Sequence, residues 1–141
     1  MKYASVRVFS VVAALAAALL GSPIVVRAQS HEMGVKVPFE FYIGDQKFPA
    51  GHYMVWRNQG SLVYLSDGNG HNSVIFASPI TRRSSNQLGY LVFNRFGNSH
   101  FLSEVRWTDS DTAMQFSKSS GERALAKNIG PEQVVTRNTN R

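Results

Sequence analysis

The stretch that most constrains the fold runs from Tyr90 to Trp107 and reads YLVFNRFGNSHFLSEVRW. Aromatic and β-branched residues, which favour extended strands, occupy both halves of it. Between the halves, Gly97-Asn98 is the kind of pair that adopts the positive φ angles of a tight hairpin turn. The pattern therefore predicts two antiparallel strands at the centre of a β domain.

The register of this hairpin depends on the length of its loop. A two-residue loop at Gly97-Asn98 pairs Phe93 with Leu102, whereas a three-residue loop that adds Ser99 pairs Phe93 with Ser103. A slip of one residue exchanges the two faces of a strand. We favour the longer loop, with a bulge at Asn98 or Ser99, because it gathers the larger apolar residues on one face. The polar residues on the solvent face are then His100, Glu104 and Arg106.

Alternation of apolar and polar residues extends the β pattern along the chain. In residues 35–43, one face collects Val35, Val37, Phe39, Phe41 and Ile43. Turn-forming segments such as Gly44-Asp45 and Asp67–Gly70 recur every eight to twelve residues. Six or seven short strands follow from this spacing. We predict a single all-β domain over residues 35–128, folded as an antiparallel sandwich or a small barrel.

The remaining segments are expected to be a helix and loosely ordered connections. Ser119 and Glu122 form a capping box, which predicts a short helix over about Ser120–Lys127 with Leu125 as its main apolar contact. Residues 78–87 are expected to be a mobile polar connection. We expect residues 29–34 to be a flexible leader and residues 129–141 to be a disordered tail.

The first 28 residues have the pattern of a signal peptide. Lys2 and Arg7 precede an apolar run, and Val26-Arg27-Ala28 offers a cleavage site. We therefore expect export to the periplasm or the extracellular space, with an N-terminal membrane anchor as the alternative. Without residues 1–28, the formal charge falls from +6 to +3, because Lys2, Arg7 and Arg27 are lost. The chain has no cysteine, so apolar burial has to hold the fold without disulfides.

Several phrases resemble a family of uncharacterised small secreted bacterial proteins. They are Val37–Phe41, Phe48–Tyr53, Val92–Gly97 with Phe101–Ser103, and Lys118–Ala126, so the likeness extends from about Val35 to Lys127. The resemblance implies an exported all-β domain without a known function. It supplies no catalytic residue, and its phrases consist of turn formers and core aromatics.

Residue patterns for common chemistries are missing from the sequence. The four histidines, which lack the close spacing of a metal site, are His31, His52, His71 and His100. The sequence has neither a Gly-x-Ser-x-Gly elbow nor a cysteine nucleophile. Arg82-Arg83 is too small a basic patch to indicate nucleic-acid binding. We expect no enzyme activity, no metal, no cofactor and no nucleic-acid partner, and membrane contact only through the uncleaved signal peptide.

Aromatic residues are the unusual feature of the remaining chain. Most are expected to fill the core, because a sheet of this size without cysteine needs large side chains to bury. As candidates for a ligand or interaction site we selected Trp56, Tyr64, Phe93 and Trp107. The sequence favours a non-catalytic domain with a binding, envelope-associated or matrix-like interaction role, for which an envelope or extracellular protein is one candidate partner. The alternative is a carrier of a small apolar or sugar-like ligand in an aromatic-lined pocket, and an enzyme of unidentified chemistry is the third possibility.

Overall fold

The structure, a computed structural model, describes residues 31–58, 60–83, 88–108 and 110–139, so the expected signal peptide lies outside the described residues. The described chain forms strands and one short helix. Their bounds are β1 (His31–Val37), β2 (Phe41–Ile43), β3 (Gln46–Phe48), β4 (Gly51–Arg57), β5 (Leu62–Ser66), β6 (Asn72–Phe76), β7 (Ser78–Thr81), β8 (Tyr90–Phe96), β9 (Ser99–Arg106), β10 (Thr112–Gln115), α1 (Ser120–Ala126) and β11 (Glu132–Arg137).

The strands form two sheets. Sheet A has the order β1-β4-β5-β6, and sheet B has the order β11-β8-β9-β10-β7. The short β2–β3 hairpin extends sheet B through one parallel pairing, between Tyr42 and Phe101. Within the described residues the two sheets do not close into a barrel. The prediction of an all-β fold with a short C-terminal helix is confirmed, and the architecture is the sandwich rather than the barrel.

The two sheets are connected at both sides. On one side the chain passes from β6 to β7 through the buried Ala77 and so changes sheets within a single residue. On the other side, Val35 of β1 makes a bridge to Asn138, and the Thr139 amide donates to the Gly34 carbonyl at 2.8 Å. These connections hold the two layers together around one core.

The core lies between the sheets and is rich in aromatic residues. Phe41 is fully buried, and its ring lies 5.3–5.4 Å from the rings of Phe48, Tyr53 and Phe93. The predicted apolar face of residues 35–43 is confirmed, although the chain forms two strands there. Pro38 lies in the interruption between β1 and β2, which is consistent with its missing backbone donor.

The β8–β9 hairpin contains both of the registers that the sequence left open. Next to the turn, Phe96 pairs with Ser99 and Phe93 with Leu102, as a two-residue loop requires. Beyond a bulge at Ser103, Leu91 pairs with Val105. The preference for a three-residue loop bulged at Asn98 or Ser99 was therefore wrong. The extra residue lies in the middle of β9, where it lets both halves of the strand direct apolar side chains into the core.

Three segments that were expected to be loosely ordered are strands. Residues 31–34 belong to β1, Ser78–Thr81 forms β7 against β10, and Glu132–Arg137 forms β11 against β8. The flexible leader, the mobile connection and the disordered tail are corrected to this extent. Each segment has little apolar content, so its side chains do not indicate a strand. Backbone hydrogen bonds to a neighbouring strand order the segment instead.

The short helix predicted from the capping box at Ser119 and Glu122 is confirmed. Ser119 is the N-cap, and its hydroxyl accepts a hydrogen bond from the Glu122 amide at 3.1 Å. The buried side chain of the helix is Glu122 and not Leu125, which is only half-buried. Glu122 accepts a hydrogen bond from the Asn94 amide on β8 at 2.8 Å. The helix therefore packs on sheet B, and a polar contact replaces the expected apolar one.

Candidate functional site

The outer face of sheet A carries a group of neighbouring apolar side chains. Val55, Val63 and Leu65 of β4 and β5 are buried, so the alternate residues of these strands point outward. Strand register places Trp56 beside Tyr64, Tyr64 beside Val74, and Leu62 beside Phe76. We call this surface the exposed apolar face; its residues are Trp56, Leu62, Tyr64, Val74 and Phe76.

Three members of this face are exposed to an unusual degree. Phe76 has 66% of its surface accessible, Val74 has 55% and Leu62 has 42%. Single apolar residues on a protein surface are ordinary, but a contiguous group of them marks an interaction site or an aggregation hazard. Because the three side chains lie on adjacent strands β5 and β6, they form such a group.

Trp56 and Tyr64 form the half-buried part of the face. Their ring centroids are 5.5 Å apart and their planes differ by 12°, which is an offset stack across two strands. Each ring covers one face of the other. The stacking restrains both side chains, and Tyr64 lies beside Val74 in the strand pairing.

Charged residues border the exposed apolar face on β1, the strand at the other edge of sheet A. Glu32 and Lys36 of β1 are exposed, and Glu32 lies opposite Trp56 in the strand pairing. Strands β5 and β6 contain no charged residue. The surface is thus apolar on β5 and β6 and has a polar margin on β1.

A groove of about 460 Å³ lies on the inner side of sheet A, between strands β4–β6 and strand β3. Phe48, Tyr53 and Leu65 contribute apolar lining, and Gln46, Asp67 and other polar residues also line it. Gln46 Nε2 donates to Ser73 Oγ at 3.4 Å and so connects β3 with β6. A groove of this size falls within the range of small-molecule sites.

Two polar residues of the groove, Asp67 and Tyr53, have hydrogen-bond partners within four residues along the chain. Asp67 Oδ1 accepts from the Asn69 amide at 2.8 Å, and its Oδ2 lies 2.8 Å from His71 Nδ1. The Asn69 amide, followed by the His71 ring, holds the pKa of Asp67 below its ordinary value. Tyr53 Oη donates to the Pro49 carbonyl at 2.6 Å, and burial raises the pKa of Tyr53. These bonds shape the turn and leave few directed groups for a ligand.

A second polar cluster lies on the outer face of sheet B. The buried Glu104 carboxylate accepts from Arg106 Nη2 at 2.8 Å and from Arg82 Nη2 at 3.2 Å. Arg106 also donates to Tyr90 Oη at 2.9 Å. Glu104, and beyond it Tyr90, hold the pKa of Arg106 above its ordinary value in spite of burial. With two cations around one carboxylate, the cluster is an ion-pair network that braces β7, β8 and β9.

The four residues selected from the sequence do not meet in one site. Trp56 and Tyr64 lie on the exposed apolar face, whereas Phe93 and Trp107 are buried in the core. Arg57 covers Trp107, with its guanidinium carbon 5.3 Å from the ring centroid. None of the four lines the groove of about 460 Å³. Sequence reasoning missed Leu62, Val74 and Phe76, although the alternation in Asn72–Phe76 already puts Val74 and Phe76 on one face.

The polar residues of the central hairpin are also separated. His100 stacks on Phe39, with centroids 3.9 Å apart, and Phe39 packs against Phe93 of the core. Glu104, beyond the bulge, joins the network on the outer face of sheet B. The expectation that His100 and Glu104 share a solvent face was wrong, because the bulge at Ser103 exchanges the faces between them. Among the described residues, no three His, Asp or Glu side chains converge as metal ligands.

Comparisons with known proteins do not identify a relative. No family model, no curated protein and no solved structure matches the chain. The resemblance to small secreted bacterial proteins stays a prediction. In the described ranges, the structure contains no helix with the length and apolar content needed to cross a membrane.

Proposed function

We propose that this protein is a non-catalytic binding domain that uses the exposed apolar face to bind another protein. The observation that supports this function is the exposure of Leu62, Val74 and Phe76 on adjacent strands of one sheet. A face that served only to fold the domain would be buried against another layer. This one lies on the side of sheet A that points away from the core.

The energy available at this face suits protein recognition. Complete burial of the exposed part of Phe76 alone would contribute roughly 2–4 kcal/mol, from its ring area and the usual value per unit of apolar surface. The backbone of β5 is paired on both sides. The side chains of the face are therefore presented by an ordered sheet, and little conformational entropy is lost when a partner binds.

The partner that fits this surface has an apolar patch with a polar margin. The centre of the face is uncharged, while Glu32 and Lys36 at its border carry opposite charges and can make peripheral contacts. The signal peptide pattern of the sequence supports an interaction in the periplasm or outside the cell. The partner is then an envelope or extracellular protein.

Site-specific photo-cross-linking in producing cells tests the proposal. A photoreactive amino acid at Leu62 should yield a discrete cross-linked species, and the same group at Val135 should not. Val135 is a suitable control because it is 46% exposed but lies on β11, in the other sheet.

The cross-linked protein, identified by mass spectrometry, is then purified for a binding assay. Isothermal titration should show at least a tenfold loss of affinity for Leu62→Lys and a change of less than about twofold for Val135→Lys. Equal affinity of the Leu62→Lys variant and the wild type would contradict the proposed function.

A second candidate function, a carrier of a small apolar or sugar-like ligand, is favoured only by the groove of about 460 Å³. Its lining includes Phe48 and Tyr53 instead of the four aromatic residues selected from the sequence. Native mass spectrometry of the protein purified from its own host distinguishes the two functions. A constant mass increment that disappears in Asn69→Trp would support the carrier, since Asn69 lines the groove from an exposed turn and does not belong to the exposed apolar face.

A further inference from the structure

We propose that two copies of this chain pair edge to edge through β6, so that their sheets A become one eight-stranded sheet. The inference rests on the proposed function, because it describes how the exposed apolar face reaches the size of a protein interface. It is carried by three features of β6: its open edge, its lack of protective residues and its compatibility with its own copy.

The outer edge of β6 is open. Within the described ranges, β6 pairs with β5 alone, and each of its residues is exposed or half-buried. The Gln46 side chain contacts the Ser73 hydroxyl at 3.4 Å, which is long for a hydrogen bond. The backbone groups along this edge are thus accessible to another strand.

The edge also lacks the devices that normally prevent strand pairing. Natural proteins protect edge strands with charges, proline or bulges. The other strands at the ends of the two sheets have such residues: Glu32 and Lys36 on β1, Pro79 on β7, and Glu132 and Arg137 on β11. The sequence of β6, Asn-Ser-Val-Ile-Phe, contains neither charge nor proline, and its pairing with β5 has no bulge. Of these four edges, β6 is the one without protection.

The sequence of β6 is compatible with pairing to its own copy. In an antiparallel pair centred on Val74, Val74 lies opposite Val74 of the second copy, and Asn72 lies opposite Phe76. Two-fold symmetry places a residue at the centre against its own equivalent, so a charge there would be repelled by an identical charge. The absence of charge on β6 removes this obstacle.

Pairing through β6 would give the exposed apolar face the area of a standard protein interface. Four strands about 4.8 Å apart and about 17–23 Å long give sheet A a face of roughly 400 Å². A standard protein interface covers about 800 Å² on each partner, which is twice that area. Pairing through β6 doubles the face and brings Val74 and Phe76 of both copies to its centre. The charged residues of β1 then lie at both outer margins.

Cysteine trapping tests this geometry, and the absence of native cysteine makes the background clean. At the two-fold axis, the two Cα atoms of residue 74 are about 4.5–5.5 Å apart, within the range that a disulfide spans. Under mild oxidation with oxidised glutathione, Val74→Cys should become mostly covalent dimer, and Val135→Cys should form at least tenfold less. A mixture of Asn72→Cys and Phe76→Cys should cross-link more than either variant alone, because these positions are paired across the axis.

A charge at the same position provides the non-covalent test. In sedimentation velocity, the wild-type protein should show a dimer fraction that rises with concentration, while Val74→Lys stays monomeric and keeps its circular dichroism spectrum. Leu62→Lys should still dimerise, because Leu62 lies on β5, away from the edge.

The two proposals fail in different ways. Pairing through β6 is wrong if Val74→Cys cross-links no faster than Val135→Cys, or if the wild type stays monomeric at every concentration. In that case, loss of partner binding in Leu62→Lys would still support the proposed function. If the dimer forms but Leu62→Lys binds the partner as tightly as the wild type does, the proposed function is wrong and the dimer stands.

Discussion

At the scale of single residues, burial of polar side chains is compensated by nearby groups in most places. Glu104 has Arg82 and Arg106, and Glu122 has the Asn94 amide. His100 differs, because its Nδ1 is buried and has no hydrogen-bond partner in the described part of the chain. Burial, and then the charge of Arg95, lowers the pKa of His100 below its ordinary value of 6.5. The folded state therefore favours the neutral imidazole.

This shift predicts an acid-sensitive contribution to stability. Since the pKa of His100 is lower in the folded than in the unfolded state, the unfolded chain binds more protons below about pH 6.5. Stability should therefore fall as the pH drops from about 6.5 toward the lowered pKa. Urea unfolding at pH 7.5 and 5.5 should show a smaller pH-dependent loss for His100→Gln than for the wild type. His52→Gln, at an exposed histidine, is the control, and an equal reduction in both variants would contradict the assignment.

At the scale of elements, the bulge at Ser103 decides which side chains of β9 reach the core. Insertion of one alanine between Ser103 and Glu104 would shift the rest of β9 by one residue against β8, and Val105 and Trp107 would then exchange faces with Glu104 and Arg106. Because this places two charged side chains in the core, we expect the insertion variant to be unfolded or destabilised by more than about 4 kcal/mol.

An insertion in the turn is the matched control for that insertion in β9. One glycine added between Gly97 and Asn98 lengthens the loop and keeps every strand pair in place. It should cost less than about 1 kcal/mol, because loop-closure entropy depends weakly on length. Chemical denaturation measures both variants. Similar stability of the variant with alanine inserted after Ser103 and the wild type would show that the register of β9 beyond the bulge does not fix the faces.

The C-terminal strand β11 is an element that sequence reasoning misjudged, and two adjacent valines test it. Val134 packs against the core, while Val135 is 46% exposed. Val134→Asp should lower the unfolding free energy by about 2–4 kcal/mol, because it buries a charge, and Val135→Asp should change it by less than about 1 kcal/mol. Thermal or urea unfolding provides the values. Small effects at both positions would mean that the segment does not pair with β8.

The success of sequence reasoning at this scale followed from side-chain patterns. Alternation in residues 35–43, turn chemistry at Gly44-Asp45 and the capping box at Ser119 each depend on local physical rules, and each was confirmed. Strands β7 and β11 were missed because long-range backbone pairing orders them. The bulge was missed because both registers satisfy the apolar pattern. Packing between the two sheets requires one register next to the turn and the other beyond Ser103.

At the scale of the whole molecule, the sequence predicted the class of fold but not the position of the surface. Trp56 and Phe93 are both aromatic residues in strands, yet one is half-exposed and the other fully buried. Which face of a strand points inward depends on how the two sheets are stacked, and neither composition nor alternation defines that. Val74 and Phe76 become notable only when β6 is known to lie at the edge of a sheet with its outer face uncovered.

If the exposed apolar face serves binding, the domain should fold equally well without it. We expect the double variant Leu62→Thr/Phe76→Thr to keep its unfolding free energy within about 1 kcal/mol of the wild type, since Phe76 is 66% and Leu62 is 42% exposed and threonine favours strands. Its binding of the fluorescent probe bis-ANS should fall, because that probe reports accessible apolar surface. Leu65→Thr, which removes a buried neighbour on the same strand, should cost about 2–4 kcal/mol. A comparable loss of stability in the double variant would instead show that the face stabilises the fold, and no binding role would be needed to explain it.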